Sequence, residues 1–197
     1  LALTLLCNGV ATPPKSLVTS FSAFQIVRSA SPYGPVYSNG SIYVDTIHGA
    51  YRTNISDYLN SGGNWSDYLR ICPNDVAYFS PQGSGCEKVR PLPAQCTCES
   101  YNGTKNCTHW APSVSPSAIP ADASYAGSSS MNGYAHVDTW SFYFAPFGSV
   151  IDVSTVIGPG GKSFVTRTVG ARVQTDFTSI VVGTPPASKF AVPKACE

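Results

Sequence analysis

The sequence predicts an all-β protein: curved antiparallel sheets or a β-sandwich enclosing an apolar core or pocket, with little helix. Three observations predict it. Sixteen Pro and seventeen Gly punctuate 197 residues at short intervals, leaving little room for long helices. The runs between them are rich in Val, Ile, Thr, Tyr and Phe, side chains that suit a pleated, half-buried surface. Such runs recur at roughly 8–12-residue spacing, the rhythm of a sandwich or curved sheet.

The elements follow in order. Residues 21–28 (FSAFQIVR) read as a first strand. Residues 41–46 (SIYVDT) and 49–55 (GAYRTNI) come next, turned by His48-Gly49. Residues 66–71 and 76–80 continue the pattern, and Pro81-Gln82-Gly83-Ser84-Gly85 is strong turn chemistry leading to residues 86–89. Residues 91–133 break the rhythm with cysteines, two sequons and a Ser/Pro/Ala-rich stretch, and read as a disulfide-rich, glycosylated excursion. A short helical turn is expected near Pro120-Ala121-Asp122. Residues 136–144 (HVDTWSFYF) and 149–157 (SVIDVSTVI) read as adjacent strands. Gly158-Pro159-Gly160-Gly161 turns the chain into residues 163–169 and 171–182, the last pair. The predicted organisation is an N-terminal segment over 1–19 and one β-domain over 20–197 that carries the excursion at 91–133.

Five N-x-[ST] sequons fall at Asn39, Asn54, Asn64, Asn102 and Asn106. A glycosylated Asn carries a bulky, solubilising sugar on an extracellular surface. Charged residues are only 12% of the chain, about half the usual share. The formal net charge is +1, too small to steer a nucleic acid. Hydrophobic content of 43% supports a real core. No run of Lys or Arg marks a membrane-surface patch, and no stretch reaches the ~18 apolar residues of a membrane span. Together these place the chain in a secreted, oxidising setting. There the cysteines are expected to pair. Cys72, Cys86, Cys96, Cys98, Cys107 and Cys196 make three bridges by any of fifteen connectivities, and Cys7 is left over.

Residues 1–11 (LALTLLCNGVA) read in two ways. They resemble the tail of a signal peptide with a small-residue cleavage site. They also read as a short strand with Leu1, Leu3 and Leu5 on one face. Such a strand can complete a neighbour's sheet, and Cys7 beside it can bridge between chains. That second reading makes the chain a subunit of an extracellular fibre or coat, a homo-oligomer or filament.

Several motifs yield bland readings. Residues 158–163 (GPGGKS) end like a phosphate loop, but Val156 stands where the pattern needs Gly. A turn is expected. Cys96, Cys98, Cys107 and His109 resemble a metal cluster, yet an oxidising compartment favours disulfides, and no metal is expected. His136-Val137-Asp138 puts His and Asp on one strand face, without a G-x-S-x-G elbow anywhere. No carboxylate pair marks a glycosidase. The aromatics carry more. Tyr43, Tyr51, Tyr78, Trp140, Phe142 and Phe177 are the candidates to line an apolar groove on a sheet.

The C-terminal quarter carries a family resemblance. Residues 175–183 (TDFTSIVVG) are followed by Pro186, Phe190, Pro193 and Cys196, with Tyr43, Asp45, residues 51–54 and Asp138-Thr139-Trp140 upstream. This pattern resembles ependymin-related proteins. The resemblance implies a fold like the bacterial lipoprotein carriers, with strongly curved antiparallel sheets around an apolar pocket. It implies a secreted, often dimeric glycoprotein with lipid-like ligands and, in some members, calcium. The chain departs from the family at residues 149–152, where a cysteine-bearing segment is usual, and in the Cys96–Cys98 pair and the excursion beyond it.

The expectation is a non-enzymatic, N-glycosylated domain that binds an apolar small molecule or lipid, without cofactor. Burial of the ligand drives binding at roughly 25 cal/mol per Å².

Overall fold

A computed structural model describes residues 12–31, 34–57, 64–71, 76–81, 85–89, 97–101, 104–109, 118–145, 148–170 and 172–197. The protein is all-β with little helix. Among the described residues there are thirteen strands: β1 Phe21–Ser31, β2 Gly34–Asp45, β3 Ala50–Asp57, β4 Asn64–Ile71, β5 Val76–Pro81, β6 Glu87–Val89, β7 Thr97–Tyr101, β8 Thr104–His109, β9 Ser124–Met131, β10 Tyr134–Phe144, β11 Ser149–Ile157, β12 Ser163–Gly170 and β13 Val173–Val182. Among the described residues the named helical elements are short 3-10 turns at Pro159–Gly161, Ala187–Phe190 and Lys194–Cys196. No described helix is long and apolar enough to cross a membrane.

Eleven strands form one antiparallel sheet in the order β6-β5-β4-β3-β2-β1-β13-β12-β11-β10-β9, and β7-β8 is a separate hairpin. Every neighbour except β1–β13 follows in sequence, so the sheet is two meanders joined where the first strand meets the last. That joint carries a long register, from Phe21 opposite Val182 to Ser29 opposite Val173, with one irregularity between Ser22 and Phe24. Bulges bend a sheet and sharpen its twist. Further irregularities sit in β9–β10 and β11–β12.

One face of this sheet holds the main core. Phe21 and Ala23 (β1), Ile42 and Val44 (β2), Trp140 and Phe142 (β10), Ile151 and Val153 (β11), Val165 (β12) and Phe177 (β13) share it with Leu17 and Ile119. A second cluster of Val137, Val156 and Phe164 joins Tyr134 and Met131, and Val18 and Ile180 pack on both clusters.

The other face of β2–β5 is covered by the C-terminal segment. Register places Tyr43, Arg52, Leu69 and Tyr78 in one cross-strand row. Arg52 donates to the carbonyls of Lys189 (3.0 Å) and Ala191 (3.3 Å). The Lys189 ammonium lies 5.0 Å from the Tyr43 ring centroid, a cation–π contact. Leu69 in that row is fully buried. The Cys86–Cys196 disulfide fixes the end of the segment across 110 residues of sequence. In the chain-entropy account, closing a loop of that size stabilises by roughly 4–5 kcal/mol.

Ser124–Met131 lies inside the region expected to be an excursion, but it is an edge strand of the sheet among the described residues. Its sequence SYAGSSSM has no β-branched residue, so pairing with β10 makes it a strand, not propensity. Residues 121–122 form a turn, not a helix.

A charge cluster ties three strands and a hairpin turn together. Asp176 on β13 is 2% exposed. It accepts from Arg28 on β1, from Arg167 Nε on β12 (2.5 Å), from Gln174 Nε2 (2.8 Å) and from Asn132 Nδ2 (3.3 Å). Asn132 also donates to the Thr166 carbonyl (2.9 Å), which draws the β9–β10 turn over β12 and β13. Burial alone pushes the Asp176 carboxyl up, but the hydrogen bonds from Arg167, Gln174 and Asn132 outweigh it and hold the group below its ordinary 3.8. A folded-state value below the unfolded one adds stability that is present above about pH 4 and is lost as pH falls through the folded value. Asp176→Asn should therefore lower unfolding free energy by about 2–3 kcal/mol at neutral pH, because two guanidinium groups lose their anion. The gap between variant and wild type should close in acid. Urea melts at pH 7 and pH 3 check it; a gap that stays constant with pH would show that the carboxylate charge contributes nothing.

Candidate functional site

The chain between residues 16 and 20 builds a cleft at one end of the sheet. It has no strand of its own beyond an isolated parallel bridge from Leu17 to Ser163, so it is held by ties to three elements. The Val18 amide donates to the Ser163 carbonyl at the start of β12 (2.8 Å). The Gly183 amide, just past β13, donates to the Ser20 carbonyl (3.0 Å). In the β2–β3 turn, the Thr46 amide donates to Ser20 Oγ (3.1 Å) and the Thr46 hydroxyl to Thr19 Oγ1 (2.8 Å). That turn is set by Asp45, whose Oδ1 accepts the amides of Ile47 (3.0 Å) and His48 (3.1 Å). Asp45 Oδ2 meets His48 Nδ1 at 2.6 Å. The turn thus lifts Ile47 into solvent, 72% exposed.

The cleft between these ties has a volume of about 390 Å³ and is lined by residues 16–20, Ile47, residues 161–163 and residues 182–184. This lies within the roughly 300–1,000 Å³ range of small-molecule sites. Its chemistry is mixed. Ser16, Thr19, Ser20, Ser163 and Thr184 supply hydroxyls, Lys162 supplies a cation, and Ile47, Val182 and Leu17 supply apolar surface. Leu17 belongs equally to the main core and Val18 packs against it, so these two lining residues border the apolar interior. Three buried polar atoms on the core strands, Gln25 Oε1, Trp140 Nε1 and Ser149 Oγ, have no hydrogen-bond partner among the described residues. Gln25 stands directly opposite Phe177, on the core face. Such atoms cost about 1–3 kcal/mol each when unmet.

The six aromatic candidates divide by face. Trp140, Phe142 and Phe177 are buried together in the main core, and Tyr51 packs against it. Tyr43 and Tyr78 lie in the opposite-face row beneath the C-terminal segment. Strand periodicity separates Tyr43 from Tyr51: Tyr43 faces Arg52 across β2–β3, while Tyr51 faces Val44. None of the six lines the cleft. The cleft residues were missed because residues 12–20 show no alternation, and Gly161-Lys162-Ser163 reads as a plain turn.

Of the sequons, Asn39 and Asn54 are half-buried on β2 and β3. They lie diagonally across that pair, with Asn39 opposite Ser56 and Asn54 opposite Ser41. Asn64 and Asn106 lie at the start of β4 and within β8, and Asn102 lies outside the described residues. Cys86 and Cys196 are bonded. Cys98 and Cys107 lie on the paired strands β7 and β8; Cys72 and Cys96, like Leu1, Leu3, Leu5 and Cys7, lie outside the described residues. No group of metal-ligating side chains occurs among the described residues.

The β9–β10 hairpin carries a chain of polar contacts that sequence reasoning saw only in part. Ser128 Oγ lies 3.1 Å from His136 Nδ1, and His136 Nε2 lies 3.3 Å from Asp138 Oδ1. The Tyr125 hydroxyl donates to the same Asp138 oxygen (2.9 Å). That hydrogen bond, with lesser contributions from burial and the carboxylate charge, raises the Tyr125 phenol above its ordinary 10.0. His and Asp at alternate positions were legible; their partners on β9 were not. No family model matches the chain, and no curated protein matches it.

Proposed function

We propose that this chain is a secreted, N-glycosylated β-domain that binds a small amphipathic, lipid-like molecule in the cleft between residues 16–20, Ile47, residues 161–163 and residues 182–184. The observation that carries the reading is the cleft itself: a ligand-sized volume with hydroxyls and Lys162 at hand, and with Leu17 and Val18 bordering the core. The polar end of the ligand meets Lys162 and the serine and threonine hydroxyls. Its aliphatic part covers Ile47, Val182 and Leu17, and apolar burial supplies the driving term. The lining holds hydroxyls and one cation but no His, Asp or Glu, so it offers binding groups without an acid–base pair. Five sequons and the Cys86–Cys196 bridge support an extracellular setting.

Ile47→Asp should weaken binding of a fluorescent fatty-acid probe by at least about 10-fold, equivalent to about 1.4 kcal/mol. Tyr143→Ser, at an exposed position outside the cleft, should leave it unchanged. Titration by probe fluorescence checks both. An organic extract of natively expressed protein that holds no lipid, together with no saturable probe binding, would sink the reading.

A further inference from the structure

We propose that Ser128, His136 and Asp138 form a chemically active site on the β9–β10 hairpin, where Ser128 takes the acyl group of an activated carboxylic ester. The site is separate from the cleft and does not rest on the binding reading. It departs from the non-enzymatic expectation of the sequence.

The geometry points to it in three ways. First, the contacts run in series through both imidazole nitrogens. With the proton on Nε2, His136 holds that nitrogen 3.3 Å from Asp138 Oδ1, within ion-pair range, and its Nδ1 accepts the Ser128 hydroxyl proton at 3.1 Å. A nucleophile, a base and an acid that orients the base are the parts that activated-serine chemistry needs. Separations at the long end are usual before a substrate arrives. Second, Asp138 is itself held. Ser128 and Asp138 are directly opposed in the β9–β10 ladder. The Tyr125 hydroxyl anchors Asp138 Oδ1 at 2.9 Å, and the Tyr125 ring packs on buried Trp140 at 5.0 Å between centroids. His136 lies within a register irregularity between Tyr134 and Val137, and a second falls between Thr139 and Trp140, just past Asp138. Bulges of this kind re-aim side chains and are common beside active sites. Third, the site is open. Ser128 is exposed, the His136 side chain is 73% exposed, and β9 is an edge strand of the sheet among the described residues. An edge strand presents unpaired backbone N–H groups, the donor type that stabilises an oxyanion. With little wall around it, the site selects by reactivity of the ester more than by its shape.

The chemistry balances without a cofactor. Ser128 Oγ attacks the ester carbonyl carbon as its proton passes to His136 Nδ1. The resulting tetrahedral adduct expels the alcohol or phenol oxygen, which takes the proton from Nδ1. Water then attacks the acyl-serine, His136 accepts its proton and returns it to Ser128 Oγ, and the carboxylic acid leaves. Ser128 and His136 are the catalytic residues; Asp138 and Tyr125 are positioning residues.

The test uses the full chain with p-nitrophenyl acetate. Ser128→Ala and His136→Ala should each lower the protein-dependent rate by about 10- to 100-fold, the range a general base supplies. Asp138→Asn should lower kcat with KM unchanged. A fluorophosphonate probe should label Ser128, located by peptide mass mapping, and the label should be lost in His136→Ala. Ser128 and His136 are exposed, so their variants should melt within a few degrees of wild type, and circular dichroism confirms this. A wild-type rate in Ser128→Ala would mean the imidazole acts alone on the ester, and overturns the proposal. So would a label spread over other serines, or an Asp138→Asn chain with unchanged kcat.

Discussion

Replacing Phe177 with alanine should lower the unfolding free energy by about 3–5 kcal/mol, the range for deleting a fully buried aromatic. Phe177 is 0% exposed and sits on β13, the strand that closes the two meanders against each other by pairing with both β1 and β12. Its ring meets Phe21 edge-on at 6.1 Å and 82°. Truncation removes the transfer energy of the ring and leaves a cavity in a core that cannot collapse freely, because the β1–β13 ladder fixes both walls. Phe177→Leu keeps most of the volume and should cost roughly 1–2 kcal/mol. Urea denaturation of both variants checks the ordering. The pair also tests the edge contact: a double-mutant cycle with Phe21→Leu should show coupling of roughly 0.5–1.5 kcal/mol. A Phe177→Ala loss below about 1 kcal/mol would mean the core does not pass through β13, and the joint between the two meanders would need another explanation.

Fold class was legible because it rests on local signals. Pro and Gly spacing and β-rich runs are read one segment at a time, and strands from 21 to 89 and from 134 to 182 fall near their expected places. Pairing is not local. Nothing in residues 21–28 says that β1 lies between β2 and β13, since antiparallel register is set by which faces bury what. The same limit governs the candidate site. Six aromatics on strands are six apolar side chains, but a one-residue offset sends Tyr43 and Tyr51 to opposite faces. Trp140, Phe142 and Phe177 share the core because their strands line one continuous face. Ser124–Met131 escaped notice because Ser, Gly and Ala carry no strand preference; its state is imposed by β10. The Asp176 cluster had one visible trace, a lone carboxylate beside Phe177 on a predicted strand. Its two arginine partners lie 9 and 148 residues away, beyond the reach of any motif.

A single methyl group at Gly40 should be among the most damaging changes in the molecule. Gly40 stands on β2 opposite Gln25 of β1 and Ile55 of β3, with a φ of +158° that L side chains rarely adopt. A Cβ there would overlap the Asn54 carbonyl oxygen and lie 2.8 Å from Ile55 Cα. Both neighbours are backbone, so no side chain can rotate aside. The strands would have to part, breaking ladder hydrogen bonds between β2 and β3 where Ile42 and Val44 anchor the core. Overpacking contributes about 1–3 kcal/mol or more and the unfavourable φ another 1–3. Gly40→Ala should thus remove about 2–6 kcal/mol from a total that for domains of this kind is about 5–15. In a thermal melt that is a fall of roughly 4–24 °C, at about 2–4 °C per kcal/mol for this chain length. Gly85→Ala is the control: no atom of the described residues lies within 4 Å of the added carbon, and its melt should move by no more than a degree or two. Equal melting temperatures for the two variants would show that β2 and β3 do not approach as closely at Gly40 as the register requires.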